Sequence, residues 1–231
     1  MKTVAVIQSN YIPWKGYFDI IHDVDTFIFY DDVQFTKNSW RNRNKIKSSN
    51  GTNWISIPVG TDLNRLICEV AISDRRWQEK HWKTIEQFYK KTSYFKLYKD
   101  FFSEIYLDQT WENLSELNQH LVKRISTELL GIKTKFEDSR SYQSHGTKTD
   151  RLVEVLTKAG ANIYLSGPAA ESYMNENLLR ENGIILKYKN YAGYPEYPQL
   201  YPPFQHDVSI IDLLFNVGPE TPYYIWGWRE K

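Results

Sequence analysis

Two adjacent carboxylates, Asp31 and Asp32, close the apolar run TFIFY at residues 26–30. A carboxylate at a strand end can orient or deprotonate a hydroxyl or an amine, or help to hold a metal. Successive strand residues face opposite ways, so one of the pair is expected to point into a site. Upstream, Gln8, Asn10, Tyr11 and Trp14 form a polar and aromatic turn suited to hydrogen bonding a sugar or an amino acid. Downstream, Lys37, Arg41, Arg43, Lys45 and Lys47 alternate with Asn38, Asn42 and Asn44. An arginine fork matches paired phosphate oxygens, so Arg41 and Arg43 are candidates for gripping a diphosphate. A charged hairpin edge or a nucleic-acid loop would use the same residue types. Ser166 and Gly167, before Pro168, make a tight turn where backbone N–H groups can meet an anion. This turn lacks the Gly-x-Ser-x-Gly elbow and a histidine partner, which argues against a serine nucleophile. His22, His81, His120, His145 and His206 show no metal-ligand spacing, so no metal site is expected. His81, beside Trp82 and Lys83 near the start of a helical pattern, is the acid/base candidate.

These residues need elements to hold them. The β-branched run TVAVI at 3–7 reads as a buried strand, and Phe18, Ile20, Ile21 and Val24 put apolar groups on one side of a short helix. With the strand at 26–30 this is a βαβ unit, whose ligands sit at the carboxyl ends of the strands. Gln8, Asn10 and the two aspartates then share one rim. Residues 41–59 read as a hairpin turning at Asn50-Gly51. Residues 74–130 carry three apolar patterns at helical spacing and stop at Gly131, with Ser73 or Asp74 and Asp108 as candidate caps. Alternation of helix and strand then resumes. A helix follows Thr147 and Asp150, a strand spans 161–165, a helix opens at Pro168, and a strand spans 184–187. A Tyr- and Pro-rich loop covers 191–203, and a final helix at 208–215 is capped by Asp207. The expected fold is α/β, Rossmann-like, with a mostly parallel sheet. One domain over 1–231 would have its α/β core at 1–60 and 145–231 and a helical insertion at about 74–131.

Composition sets limits. The 231 residues carry a net charge of +1, so no global attraction to nucleic acid is expected. The mean hydropathy is −0.58 and no apolar run is long enough to span a bilayer. Residues 1–10 are too short and too soon polar for a signal peptide. The lone Cys68 cannot form an intrachain disulfide and reads as core, which favours the cytoplasm. Aromatics reach 16%, with 17 Tyr and 8 Trp. Their apolar faces and polar tips suit sugar rings, bases or partner surfaces, or a core of mixed polarity.

Several stretches resemble the WbqC-like family, named for a protein encoded in O-antigen gene clusters. They are QSNYIPWKGYFDII at 8–21, YDDVQFTKNSWRNRNKIKSSNGTNWISIPV at 30–59 and WQEKHWKTIEQFYKK at 77–91. YLSGPAAESYM at 164–174 and YPQLYPPFQHDVSIIDLLFNVGP at 197–219 follow in order. The family pattern has Gln-Pro-x-Tyr at the first motif, and here Ser9 stands in place of the proline. The resemblance implies a role in making bacterial surface polysaccharide, lipopolysaccharide O-antigen included. The opening βαβ unit is also similar to HIGH-type nucleotidyl-transfer enzymes. Trp14-Lys15-Gly16-Tyr17 lies where those carry His-x-Gly-His; with both histidines absent, this weaker resemblance implies at most a similar fold and not the nucleotidyl-transfer chemistry. The resulting expectation is a transferase moving an acyl or aminoacyl group onto an amino-sugar nucleotide. Arg41 and Arg43 would grip diphosphate, Asp31 or Asp32 would handle the acceptor, and Gln8, Asn10 and Trp14 would shape the pocket. The alternatives are a non-catalytic scaffold or ligand-binding protein of the same pathway, and a nucleotide-binding protein of the nucleotidyltransferase-like fold. The expected partner is a nucleotide sugar or other small molecule, with no nucleic acid and no membrane span. The sequence identifies no cofactor and leaves homodimerisation open.

Overall fold

The structure is a computed structural model and describes residues 1–230. Five parallel strands form its sheet: β1 (Thr3–Ile7), β2 (Thr26–Phe29), β5 (Lys135–Asp138), β6 (Ile163–Ser166) and β7 (Ile185–Tyr188). Their spatial order is β5-β2-β1-β6-β7, with Val4 opposite Thr26 on one side of β1 and opposite Tyr164 on the other. The fold is therefore α/β and Rossmann-like. Alternation along the strands divides the core. Ala5, Phe27 and Phe29 face one apolar cluster, while Val4, Val6 and Ile28 face the other. Both faces are covered, as a parallel sheet requires.

The second cluster is roofed by α5 (Lys148–Lys158) through Leu152, Val155 and Leu156, and by Leu179 of α6 (Glu176–Glu181). The first lies under α1 (Lys15–His22), α7 (Ile210–Val217) and the helices between the hairpin and β5. Those are α2 (Trp77–Tyr89), α3 (Phe95–Ser103) and α4 (Leu114–Arg124); the last two each continue into a π-helical turn. The expected hairpin is β3 (Arg43–Ser48) with β4 (Gly51–Ser56), turning at a Gly51 whose φ is +98°. A short helix α8 (Thr221–Ile225) follows α7, and beyond it Trp226 stacks on His22 ahead of a 3-10 turn at Gly227–Glu230.

The local expectations differ from the structure in several places. β5 is a short edge strand whose only strongly apolar residue is Phe136, too weak a pattern to read. Pro168 opens a single 3-10 turn (Pro168–Ala170), and the next helix starts at Glu176 with Asn175 accepting from the Leu178 N–H at 3.2 Å. Asn113 rather than Asp108 caps α4, accepting from the Glu116 N–H at 3.1 Å. Ser209 rather than Asp207 caps α7, because Asp207 is drawn to Lys45 at 2.5 Å.

Order in the sheet fixes where a ligand belongs. The chain leaves β1 toward β2 on one side and leaves β6 toward β7 on the other. The carboxyl ends of β1 and β6 thus flank a topological switch point, where connections diverge and open a crevice.

Candidate functional site

The turn after β1 runs from Gln8 to Trp14 and passes through a strained residue, Ile12, at φ +35°. A β-branched side chain rarely adopts that region, so neighbours must hold it there. Asn44 of β3 does so. Its Nδ2 donates to the carbonyls of Tyr11 at 3.0 Å and Ile12 at 2.8 Å. The Tyr11 N–H donates to the Trp40 carbonyl at 2.9 Å, and the Tyr17 hydroxyl donates to the Gln8 carbonyl at 2.9 Å. Hairpin and α1 together pin the turn. A hollow lies on each side of it.

The first hollow, of about 490 Å³, opens at the carboxyl ends of β1, β2 and β6 beneath the N-terminus of α5. Gln8, Tyr30, Tyr164, Tyr173, Lys148 and Thr149 are among its walls. The Gln8 side-chain amide bonds no group among the described residues. Thr147 occupies the N-cap of α5 but makes no side-chain cap, so the first-turn N–H groups face outward uncapped. Arg41 approaches the same rim. Its guanidinium has no ion pair and no hydrogen bond among the described residues. Burial holds its pKa below the ordinary value, while Tyr17, Asp31 and Tyr173 act in the opposite direction. Tyr173 is also a wall of the hollow, so the Arg41 charge is felt there.

The two aspartates are engaged within the protein. Asp31 is fully buried and accepts from the Ser9 N–H at 2.8 Å, Gln119 Nε2 at 3.1 Å and the Ser115 hydroxyl. Burial raises its pKa, and those donors pull it back down. Gln119 also donates to Asp138 at 2.8 Å, tying the ends of β2 and β5 to α4. Asp32 accepts from the Ser139 hydroxyl and pairs with Arg151, which also donates to the Asp32 carbonyl at 2.7 Å. Both carboxylates thus stand behind the rim with their oxygens occupied.

His81 lies inside, 7% exposed. The Ser56 carbonyl can only accept, so Nε2 carries the hydrogen toward it at 3.2 Å. Nδ1 then accepts from the Tyr11 hydroxyl at 2.8 Å, and Tyr106 donates to Tyr11 at 2.5 Å. Burial pushes the His81 pKa down to about 4. His81 and Tyr11 are core residues here, away from both hollows.

The second hollow, of about 280 Å³, is lined by Asn10, Pro13, Trp14, Trp40, Asn44 and Asp207. Gly16 shapes one wall. A Cβ there would meet the Trp14 ring at 2.2 Å, so only glycine lets the indole lie across the first turn of α1. Trp40 forms the opposite wall, 5.2 Å from the Trp54 ring. Arg43 stacks on Trp54 at 4.2 Å, a contact Arg41 does not share. Lys37 is exposed on the preceding turn, and Asn42 is buried with its Nδ2 on the Ile57 carbonyl at 3.3 Å. Ser166 is buried at the end of β6, and Gly167 is half-buried beside Tyr191.

The chain matches the profile of the WbqC-like protein family over residues 8–224. It belongs to that family. It is also 44% identical to an uncharacterized protein, Rv1507c, of Mycobacterium tuberculosis over 232 residues, covering 100% of both chains. No solved structure matches it. Membership embraces the whole turn, both hollows and the arginine hairpin. Ser9 takes on meaning in this setting. Its N–H reaches Asp31, a bond that a proline at this position could not make.

Sequence reasoning missed Tyr30, Lys148, Thr149 and Tyr173 in the first hollow. The Thr147 helix start was the available signal, since a helix that begins above strand ends brings its first turn to the rim. Ser115, Gln119 and Arg151, which occupy the aspartates, left no mark in the sequence.

Proposed function

We propose that this WbqC-like protein is a cytoplasmic group transferase of bacterial surface-polysaccharide assembly. It binds a nucleotide-diphosphate sugar in the hollow between β1, β2 and β6 and passes an acyl or aminoacyl group to or from it. The observation that carries the reading is Arg41: a half-buried guanidinium with no hydrogen bond or ion pair among the described residues, within electrostatic reach of Asp31 and of Tyr173, which lines a hollow on a topological switch point. A half-buried cation with no direct partner gains from an anion that arrives to meet it. Arg41 takes the diphosphate, aided by Lys148 and the first turn of α5. Gln8 hydrogen-bonds a sugar or base edge, and Tyr30, Tyr164 and Tyr173 offer ring faces. Asp31 and Asp32 position the turn and the wall and do not exchange protons with the substrate, since each already holds donors inside the protein.

The scaffold reading calls for a flat aromatic patch at 191–201. Tyr194 and Tyr197 are instead buried, and Tyr191 packs edge-on against Trp14 at 5.2 Å. That favours the ligand-binding reading.

Calorimetric titration with nucleoside-diphosphate sugars tests it. A charge-assisted hydrogen bond is worth about 1.5–3 kcal/mol, so Arg41→Gln should weaken binding by roughly ten- to a hundredfold. Equal affinity in the variant, or no binding by the wild type, defeats the assignment.

A further inference from the structure

We infer that the smaller hollow, between Trp14 and Trp40, is a second and separate binding site that seats an uncharged pyranose ring. Size restricts the occupant first. Ligand pockets usually run from about 300 Å³ upward, so 280 Å³ holds one ring and excludes a whole nucleotide sugar.

Charge restricts it further. Asp207 is paired with Lys45 at 2.5 Å, and Arg43 lies on the Trp54 ring. The lining therefore presents no free charge to a phosphate, unlike the Arg41 edge across the turn. Its walls are two indoles. Trp14 is locked by the missing Cβ of Gly16 and by edge contacts to Tyr191 and Tyr194 at 5.2 and 6.0 Å. Trp40, 42% exposed, and Trp54, 45% exposed, lie 5.2 Å apart and form a contiguous exposed aromatic patch, the kind of surface that marks a binding site. A pyranose has an apolar C–H face for an indole and hydroxyls at its edge.

The polar complement is Asn10. Asn44 spends its amide on Tyr11, Ile12 and the Lys45 N–H, but Asn10 has no hydrogen-bond partner among the described residues, and its Oδ1 is buried. Its Nδ2, unpartnered and not shielded like the Oδ1, is left at the wall of an aromatic slot to donate to a ring hydroxyl. Gln8 and Asn10 stand on opposite sides of the pinned turn, so the two sites flank the strained Ile12 segment. That the bound ring is the acceptor rests on the transferase reading; that a ring binds does not.

Saturation-transfer NMR tests it with methyl glucoside and methyl N-acetylglucosaminide as probes, and uridine diphosphate as the contrasting ligand. Wild type should transfer saturation to the C–H protons of a pyranoside. Trp40→Ala should weaken that binding roughly fivefold or more, as loss of an aromatic face predicts. The variant's circular dichroism and Tm should stay those of wild type, because Trp40 is partly exposed. Arg41→Gln should leave pyranoside binding intact. No transfer to either pyranoside up to tens of millimolar overturns the proposal, and so does unchanged binding in Trp40→Ala. Loss of pyranoside binding in Arg41→Gln also overturns it, because the two hollows would then be one site. Pyranoside binding that depends on Trp40, without any uridine diphosphate binding, keeps this slot and rejects the diphosphate role of Arg41.

Discussion

His81 offers a quantitative check on the interior of the site region. In the fold its imidazole is neutral, accepting from Tyr11 at Nδ1 and donating to the Ser56 carbonyl. A proton added at Nδ1 would oppose the Tyr11 hydroxyl and leave a buried charge with no carboxylate beside it. The pKa accordingly falls from 6.5 to about 4 through burial. The unfolded chain therefore binds more protons than the folded one between those values. The stabilisation is complete above about pH 6.5, is lost as pH falls toward 4, and changes no further below that. At about 1.4 kcal/mol per pH unit, the window amounts to about 3 kcal/mol. Urea unfolding of wild type and His81→Gln, near neutral pH and near pH 4, isolates this contribution, because carboxylate titration is common to both proteins. Wild type should lose about 3 kcal/mol more than the variant across that range. Parallel pH profiles would show that His81 is hydrated or charged in the fold, and would return it to the acid/base candidates.

The remaining predictions concern the turn and its flanks. Asn44→Leu strips donors from two buried carbonyls and an acceptor from the Lys45 N–H, so it should cost about 2–4 kcal/mol of unfolding free energy; a loss under about 0.5 kcal/mol would mean the turn is held by other contacts. Gly16→Ala should destabilise in spite of alanine's gain of about 1 kcal/mol in a helix, because its Cβ would sit 2.2 Å from the Trp14 ring. Near-UV circular dichroism should report the displaced indole, and a rise in Tm would reject the packing argument. Arg41→Gln and Trp40→Ala, in the titrations described above, should separate the two hollows by ligand charge.

What the sequence determined by itself was periodic or local. Apolar runs at 3–7 and 26–29, helical spacing through 77–124 and the Asn50-Gly51 turn specify elements from neighbours in the chain, and the right-handed βαβ crossover then brings Gln8 and Asp31 to one rim. Partner choice was not legible. Asp31 reads as a free carboxylate until Ser115, 84 residues away, and Gln119, 88 away, donate to it from α4. Arg41 and Arg43 share a parity that suggests a common face, but β3 begins only at Arg43. Arg41 sits in the turn before it, where alternation does not hold, and only Arg43 is taken up by the Trp54 ring. His81 read as an acid/base candidate beside Trp82 and Lys83, yet its helical face meets Tyr11 and Tyr106, a contact made only when α2 and the π-helical turn after α3 close over the β1 turn. Periodicity decides which face of an element is buried; only the packed chain decides which polar groups on that face are already spoken for, and so which remain for a ligand.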